Sequence, residues 1–128
     1  MSDDPIRPSD GELAILRVLW DRGPSTVRDV HAALSEGRDI GYTTVLKLMQ
    51  IMVDKGLATR DESARSHVYR AAQAEAPTQA CLLRDLLDKA FEGSAASLVL
   101  RALSETPADP AELEAIQATL DHLRKERR

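Results

Sequence analysis

Tyr42-Thr43-Thr44-Val45-Leu46-Lys47-Leu48-Met49-Gln50-Ile51-Met52-Val53-Asp54-Lys55, followed by Gly56, has the pattern of a helix with one apolar face. Val45, Leu48, Met49, Met52 and Val53 recur at three- and four-residue steps, and Gly56 stands where a C′ glycine ends such a run. Successive side chains turn by about 100°. With those five inward, Thr43, Lys47, Gln50, Ile51 and Asp54 take the outward half, bordered by Thr44 and Leu46. Hydroxyl, ammonium and amide groups in that row suit the edges of bases: Gln pairs with adenine, Lys with guanine, and Thr with base edges or a thymine methyl.

On the N-terminal side, Ser9-Asp10-Gly11-Glu12 has capping-box spacing. Leu13, Leu16, Leu19 and Trp20 follow on one face, and Gly23-Pro24 stops that helix. Ser25 is the expected N-cap of a second, short helix with Val27, Val30, His31 and Leu34 inward, ending before Gly37. On the C-terminal side, residues 57–62 and 66–71 alternate and contain Val68 and Tyr69, so they predict a β-hairpin turning through Ser63-Ala64-Arg65. Three short helices and a hairpin within about 70 residues match a winged helix-turn-helix, whose third helix enters the major groove.

After a junction at residues 72–77 the chain turns helical again. Leu82, Leu83, Leu86, Leu87 and Phe91 form a stripe ending at Gly93. Ser94 caps a helix with Ala95, Leu98, Val99, Ala102 and Leu103 inward, and Asp109-Pro110-Ala111-Glu112 opens one carrying Leu113, Ile116, Leu120 and Leu123. Arg124, Lys125, Arg127 and Arg128 suit its negative end. These helices are too few to close a core alone, so a two-fold dimer is expected. The fold class is therefore mainly α with a small β-hairpin: an N-terminal winged helix-turn-helix in residues 1–72 and a C-terminal helical dimerisation region in residues 73–128.

The composition fits this plan and excludes others. The chain has 128 residues, 43% hydrophobic and 30% charged, with no apolar run of membrane-spanning length. Its first ten residues are acidic and polar, unlike a secretory signal, and a cytoplasmic location is expected. One cysteine, Cys81, allows no internal disulfide or cysteine-built metal site, and the histidines are scattered at 31, 67 and 122. Among these residues, His31, Trp20 and Tyr69 read as packing residues and Cys81 as a small packed or interface residue. Glycine-rich phosphate loops and nucleophile–base arrangements are absent from the sequence, so it reads as no enzyme, with no catalytic residue, metal ligand or cofactor.

Net charge is −4, yet residues 40–71 carry five basic against three acidic side chains. Arg60, Arg65 and Arg70 lie in the hairpin, and Arg65 at its tip is placed to reach a DNA backbone. The expected DNA-binding set is Ser25 and Thr26 as phosphate donors, Tyr42, Thr43, Thr44, Lys47 and Gln50 on the third helix, and Arg65 and His67 on the hairpin. The overall acidity favours one alternative, a winged-helix protein-interaction module without direct DNA binding.

Several stretches, in order, resemble the penicillinase-repressor family (BlaI/MecI type). They are Glu12-Leu13-Ala14-Ile15-Leu16-Arg17-Val18-Leu19-Trp20, Gly23-Pro24-Ser25-Thr26-Val27-Arg28-Asp29-Val30, Tyr42-Thr43-Thr44-Val45, Lys55-Gly56-Leu57, His67-Val68-Tyr69-Arg70 and Phe91-Glu92-Gly93-Ser94-Ala95-Ala96-Ser97-Leu98-Val99. The resemblance implies a homodimeric repressor that binds a palindromic operator through its N-terminal module and dimerises through its C-terminal helices. It also implies, as a partner in some members, a membrane sensor protease that cuts the dimerisation region at an Asn-Phe bond; the matching pair here is Ala90-Phe91, without that Asn. The C-terminal cysteine cluster of copper-responsive members is absent from this tail, and Ile40 and Ile51 stand where many members have Trp and Arg.

Overall fold

The computed structural model describes residues 7–127; the acidic start at 1–6 and the terminal Arg128 lie outside the described residues. It contains α1 (Asp10–Arg22), α2 (Val27–Ser35), α3 (Tyr42–Lys55), β1 (Ala58–Asp61), β2 (Val68–Ala71), α4 (Glu75–Ala90), α5 (Ala95–Glu105) and α6 (Pro110–Glu126). The chain divides into two compact units, Met1–Leu83 and Arg84–Arg128. This is the predicted mainly helical fold with one hairpin, and the first unit holds the winged helix.

Local chemistry accounts for the helix ends of the first unit. Ser9 caps α1: Glu12 N–H donates to Ser9 Oγ at 3.3 Å and Ser9 N–H to Glu12 Oε1 at 2.8 Å. Thr26, and not Ser25 as expected, caps α2 through a reciprocal pair with Asp29, each bond 3.1 Å. Ser25 is drawn one residue out of the helix by a longer-range partner. Its backbone pairs with Tyr69 as an isolated bridge beside the hairpin, N–H to O at 3.0 Å and O to N–H at 2.8 Å. Gly56 ends α3 with φ 82°, a left-handed conformation that a side chain opposes, and sends the chain into β1.

The hairpin is antiparallel, with Arg60 opposite Tyr69 and Asp61 opposite Val68. Its ladder is shorter than the two predicted stretches, and its turn is set by Ser63 N–H donating to Asp61 Oδ1 at 2.9 Å. The core gathers Ile15, Leu16 and Leu19 from α1, Val27 and Val30 from α2, Val45, Met49 and Met52 from α3, and Ala58 and Tyr69 from the hairpin. Tyr69 is the core aromatic that was expected. Ile15, fully buried, was not among the expected inward residues, whereas Trp20, Leu48 and Val53 lie half-buried at the core's rim and Leu13, half-buried, is not packed against it. Trp20 spends its indole N–H on Gln73 O at 2.9 Å, pinning the segment after the hairpin. Gly11 lets α1 and α3 approach: a Cβ there would stand 3.1 Å from Leu48 Cδ1.

α4 starts at Glu75, seven residues before the stripe that announced it, so the junction is shorter than the predicted 72–77. Pro77 is no obstacle in a first turn, where its missing N–H would find no helical partner. In the second unit, Phe91 and Gly93 N–H groups both close on Leu87 O, Ser94 caps α5, and Asp109 with Glu112 forms the predicted capping box of α6. Ala90 is exposed at the end of α4, with Phe91 half-buried after it.

Candidate nucleic-acid interface

The outward half of α3 is as polar in three dimensions as in the sequence. Thr43, Thr44, Lys47, Gln50 and Asp54 are exposed, and Ile51 stands among them as an exposed apolar side chain. Tyr42 opens the helix, half-exposed, with its ring edge-on to His31 at 5.6 Å between centroids. His31 Nε2 lies 2.8 Å from Ile40 O, which ties the α2–α3 loop back to α2 and fixes where α3 begins.

Beside that face lies a cleft of about 430 Å³ between the start of α2, α3 and the wing. Thr26 and Arg28 come from α2, Tyr42 and Gln50 from α3, and Arg60, Arg65 and His67 from the wing. The structure thus brings five expected residues, Thr26, Tyr42, Gln50, Arg65 and His67, around one cationic cleft, with Thr43, Thr44 and Lys47 exposed on the adjoining helix surface. Ser25 does not join them. It is buried, its hydroxyl donates to Gly23 O at 2.9 Å, and its backbone N–H is bound to Tyr69 O, so no donor is left for a phosphate.

Arg28 and Arg60 are members of the cleft that sequence reasoning did not select. Arg28 carried a signal: a cation in the first turn of a helix opposes the helix dipole, an arrangement that needs a reason outside the helix. Arg60 was legible as a hairpin cation, but only the strand register turns it toward the cleft. Glu62 also lines the cleft, its Oε1 2.8 Å from Arg60 Nη2. At the wing turn, Asp61 is held below the usual carboxylate range by its hydrogen bonds from the Ser63 side chain and backbone, so it stays anionic there.

The expected dimerisation residues carry a second feature. Among the described residues none of α4, α5 or α6 is buried. Leu83, Leu86, Val99, Leu103, Leu113 and Leu120 are exposed, and Leu82, Leu87, Phe91, Leu98 and Ile116 half-buried. No helix among the described residues is long and apolar enough to cross a membrane.

A three-helix body with a wing, a polar outward α3 and a cationic cleft beside it defines a winged helix-turn-helix protein of the DNA-binding type. The penicillinase repressor family model matches residues 8–122, and the chain belongs to that family. Two relatives, both the Transcriptional regulator BlaI of Mycobacterium tuberculosis, from strains CDC 1551 / Oshkosh and ATCC 25618 / H37Rv, are each 35% identical over 108 residues, which is 83% of this chain and 78% of theirs.

Proposed function

We propose that the protein is a transcriptional repressor that binds duplex DNA as a homodimer, at a palindromic operator, and blocks transcription there. The observation that carries the reading is the juxtaposition of the exposed Thr43/Lys47/Gln50 face of α3 with the cleft holding Arg28, Arg65 and His67. The first set has the donors and acceptors that base edges need, and the second the guanidinium and imidazole N–H donors that hold a phosphate strand and fix the helix in register. Family membership and the regulators named above agree with it. The apolar side chains left uncovered on α4, α5 and α6 support the dimer, because a second copy would remove them from water, at about 1.5–3 kcal/mol for each large side chain fully buried. A two-fold dimer places its two α3 helices on half-sites one or more turns apart, at about 10 base pairs per turn.

Selection from a randomised duplex pool tests this. The wild type is expected to enrich an inverted repeat and to bind it with an affinity that falls steeply with salt. Lys47→Ala should lose about 1–3 kcal/mol per half-site and relax preference at one position of each, whereas Arg65→Ala should weaken all sequences alike and reduce the salt slope by about 1 for each protomer, about 2 for the dimer. A pool that emerges unenriched, or Lys47→Ala selecting the same repeat as strongly as wild type, would refute the reading.

A further inference from the structure

Glu62 is an acid in a cleft otherwise suited to anions. Its carboxylate is 57% exposed and pairs at 2.8 Å with the guanidinium of Arg60, itself only 29% exposed. The pair is not needed to build the wing: the ladder from Ala58↔Ala71 to Asp61↔Val68 and the Asp61–Ser63 turn hold it, and an ion pair this open to water adds little to folding. Its consequence lies in the cleft. A phosphate approaching Arg28, Arg65 and His67 meets Arg60 already neutralised, and to use that cation it must displace a carboxylate that also repels it.

We infer that Glu62 limits the backbone affinity of this interface: by pairing with Arg60 it withholds one cation per protomer from the DNA backbone and lowers binding to every sequence alike, leaving a larger share of the affinity to the base-facing side of α3. The inference rests on the reading that this surface binds DNA. Backbone contacts favour every sequence equally, so each cation removed from the phosphate tally weakens operator and competing sites by the same factor and leaves the ratio between them, which base contacts set, unchanged.

The test uses the full chain and a random-sequence duplex of about 30 base pairs, long enough for two half-sites, with anisotropy read between about 50 and 200 mM salt. Glu62→Gln keeps the side chain's size and removes its charge. It is expected to bind the random duplex roughly 60-fold more tightly near 0.1 M salt and to steepen the slope of log K against log salt by about 1.8, the value of one more phosphate contact in each protomer of the dimer. Glu62→Ala should show the same gain, which guards against an effect of the Gln amide. Adding Arg60→Gln to Glu62→Gln should return the slope to that of wild type, and thermal melts confirm that each variant is folded. Wild-type affinity and slope in Glu62→Gln would overturn the inference, as would a gain that survives Arg60→Gln, since Glu62 would then act as a repelling charge alone. Wild type that binds no duplex at all would overturn the proposed function with it, whereas wild type that binds beside an unchanged Glu62→Gln overturns this inference only.

Discussion

Glu12 is the side chain on which two helices converge. Its carboxylate accepts from Ser9 N–H at the start of α1 and from Lys55 Nζ at the end of α3, both at 2.8 Å and both on Oε1. Burial alone would raise its pKa. The hydrogen bond from the Lys55 ammonium, those from the Ser9 backbone and hydroxyl, and the Lys55 charge together outweigh burial and hold it below the ordinary value. A carboxyl depressed in the folded state stabilises the fold above its unfolded pKa of roughly 4.3, and that contribution is lost as pH falls through the folded value. Glu12→Gln should therefore lose about 1–2 kcal/mol at neutral pH, a discounted figure because Lys55 is half open to water. In urea melts the gap to wild type should close as pH drops below about 4. A gap independent of pH would show that the charge is not what matters. The capping half of this role was legible in the spacing of Ser9 and Glu12; the Lys55 half was not, because 43 residues separate the partners.

At the scale of elements, α3 was the easiest to read, since its apolar period and Gly56 agree on where it runs and where it stops. Gly56 also aims the wing: with φ 82° it turns the chain so that Leu57 N–H closes on Met52 O at 2.8 Å and β1 begins at once. Gly56→Ala is expected to cost about 1–2 kcal/mol in denaturant melts, from the crowding of Cβ in a left-handed conformation. An unchanged midpoint would mean that the turn relaxes to another geometry. Where α2 begins was misread because Ser25, by type the better cap, was preferred to Thr26, although only Thr26 has an acid, Asp29, three residues on. The choice between them belongs to Tyr69, which takes both backbone groups of Ser25 and leaves Thr26 to cap. The predicted strands were too long for a related reason: alternation marks which residues can pair, and the Asp61–Ser63 turn fixes where pairing ends.

For the whole molecule, the two units differ in how they dispose of apolar surface. The first closes a core around Ile15, Val30, Val45 and Met52, while α5 and α6 leave Leu100, Leu103, Leu113, Leu120 and Leu123 exposed. Leu86→Asp tests the proposed dimer with little risk to the fold, since Leu86 is 48% exposed in the single chain. Wild type should sediment near twice 14.1 kDa at micromolar concentration, and Leu86→Asp should shift to monomer with weaker binding to an inverted repeat, because the second α3 no longer arrives with the first. Leu86→Asp remaining dimeric would place the contact elsewhere.

The sequence by itself determined the order of helices and hairpin, the polar side of α3 and the apolar stripes of the tail, because these follow from period, caps and breakers acting over a few residues. Tertiary structure alone decided that Tyr69 draws Ser25 out of α2, that Lys55 secures Glu12, and that Arg28, Arg60 and Glu62 share one cleft with Arg65 and His67. Those outcomes depend on which distant groups meet, and a hydrogen bond or ion pair forms only where the packed backbone brings its partners within reach.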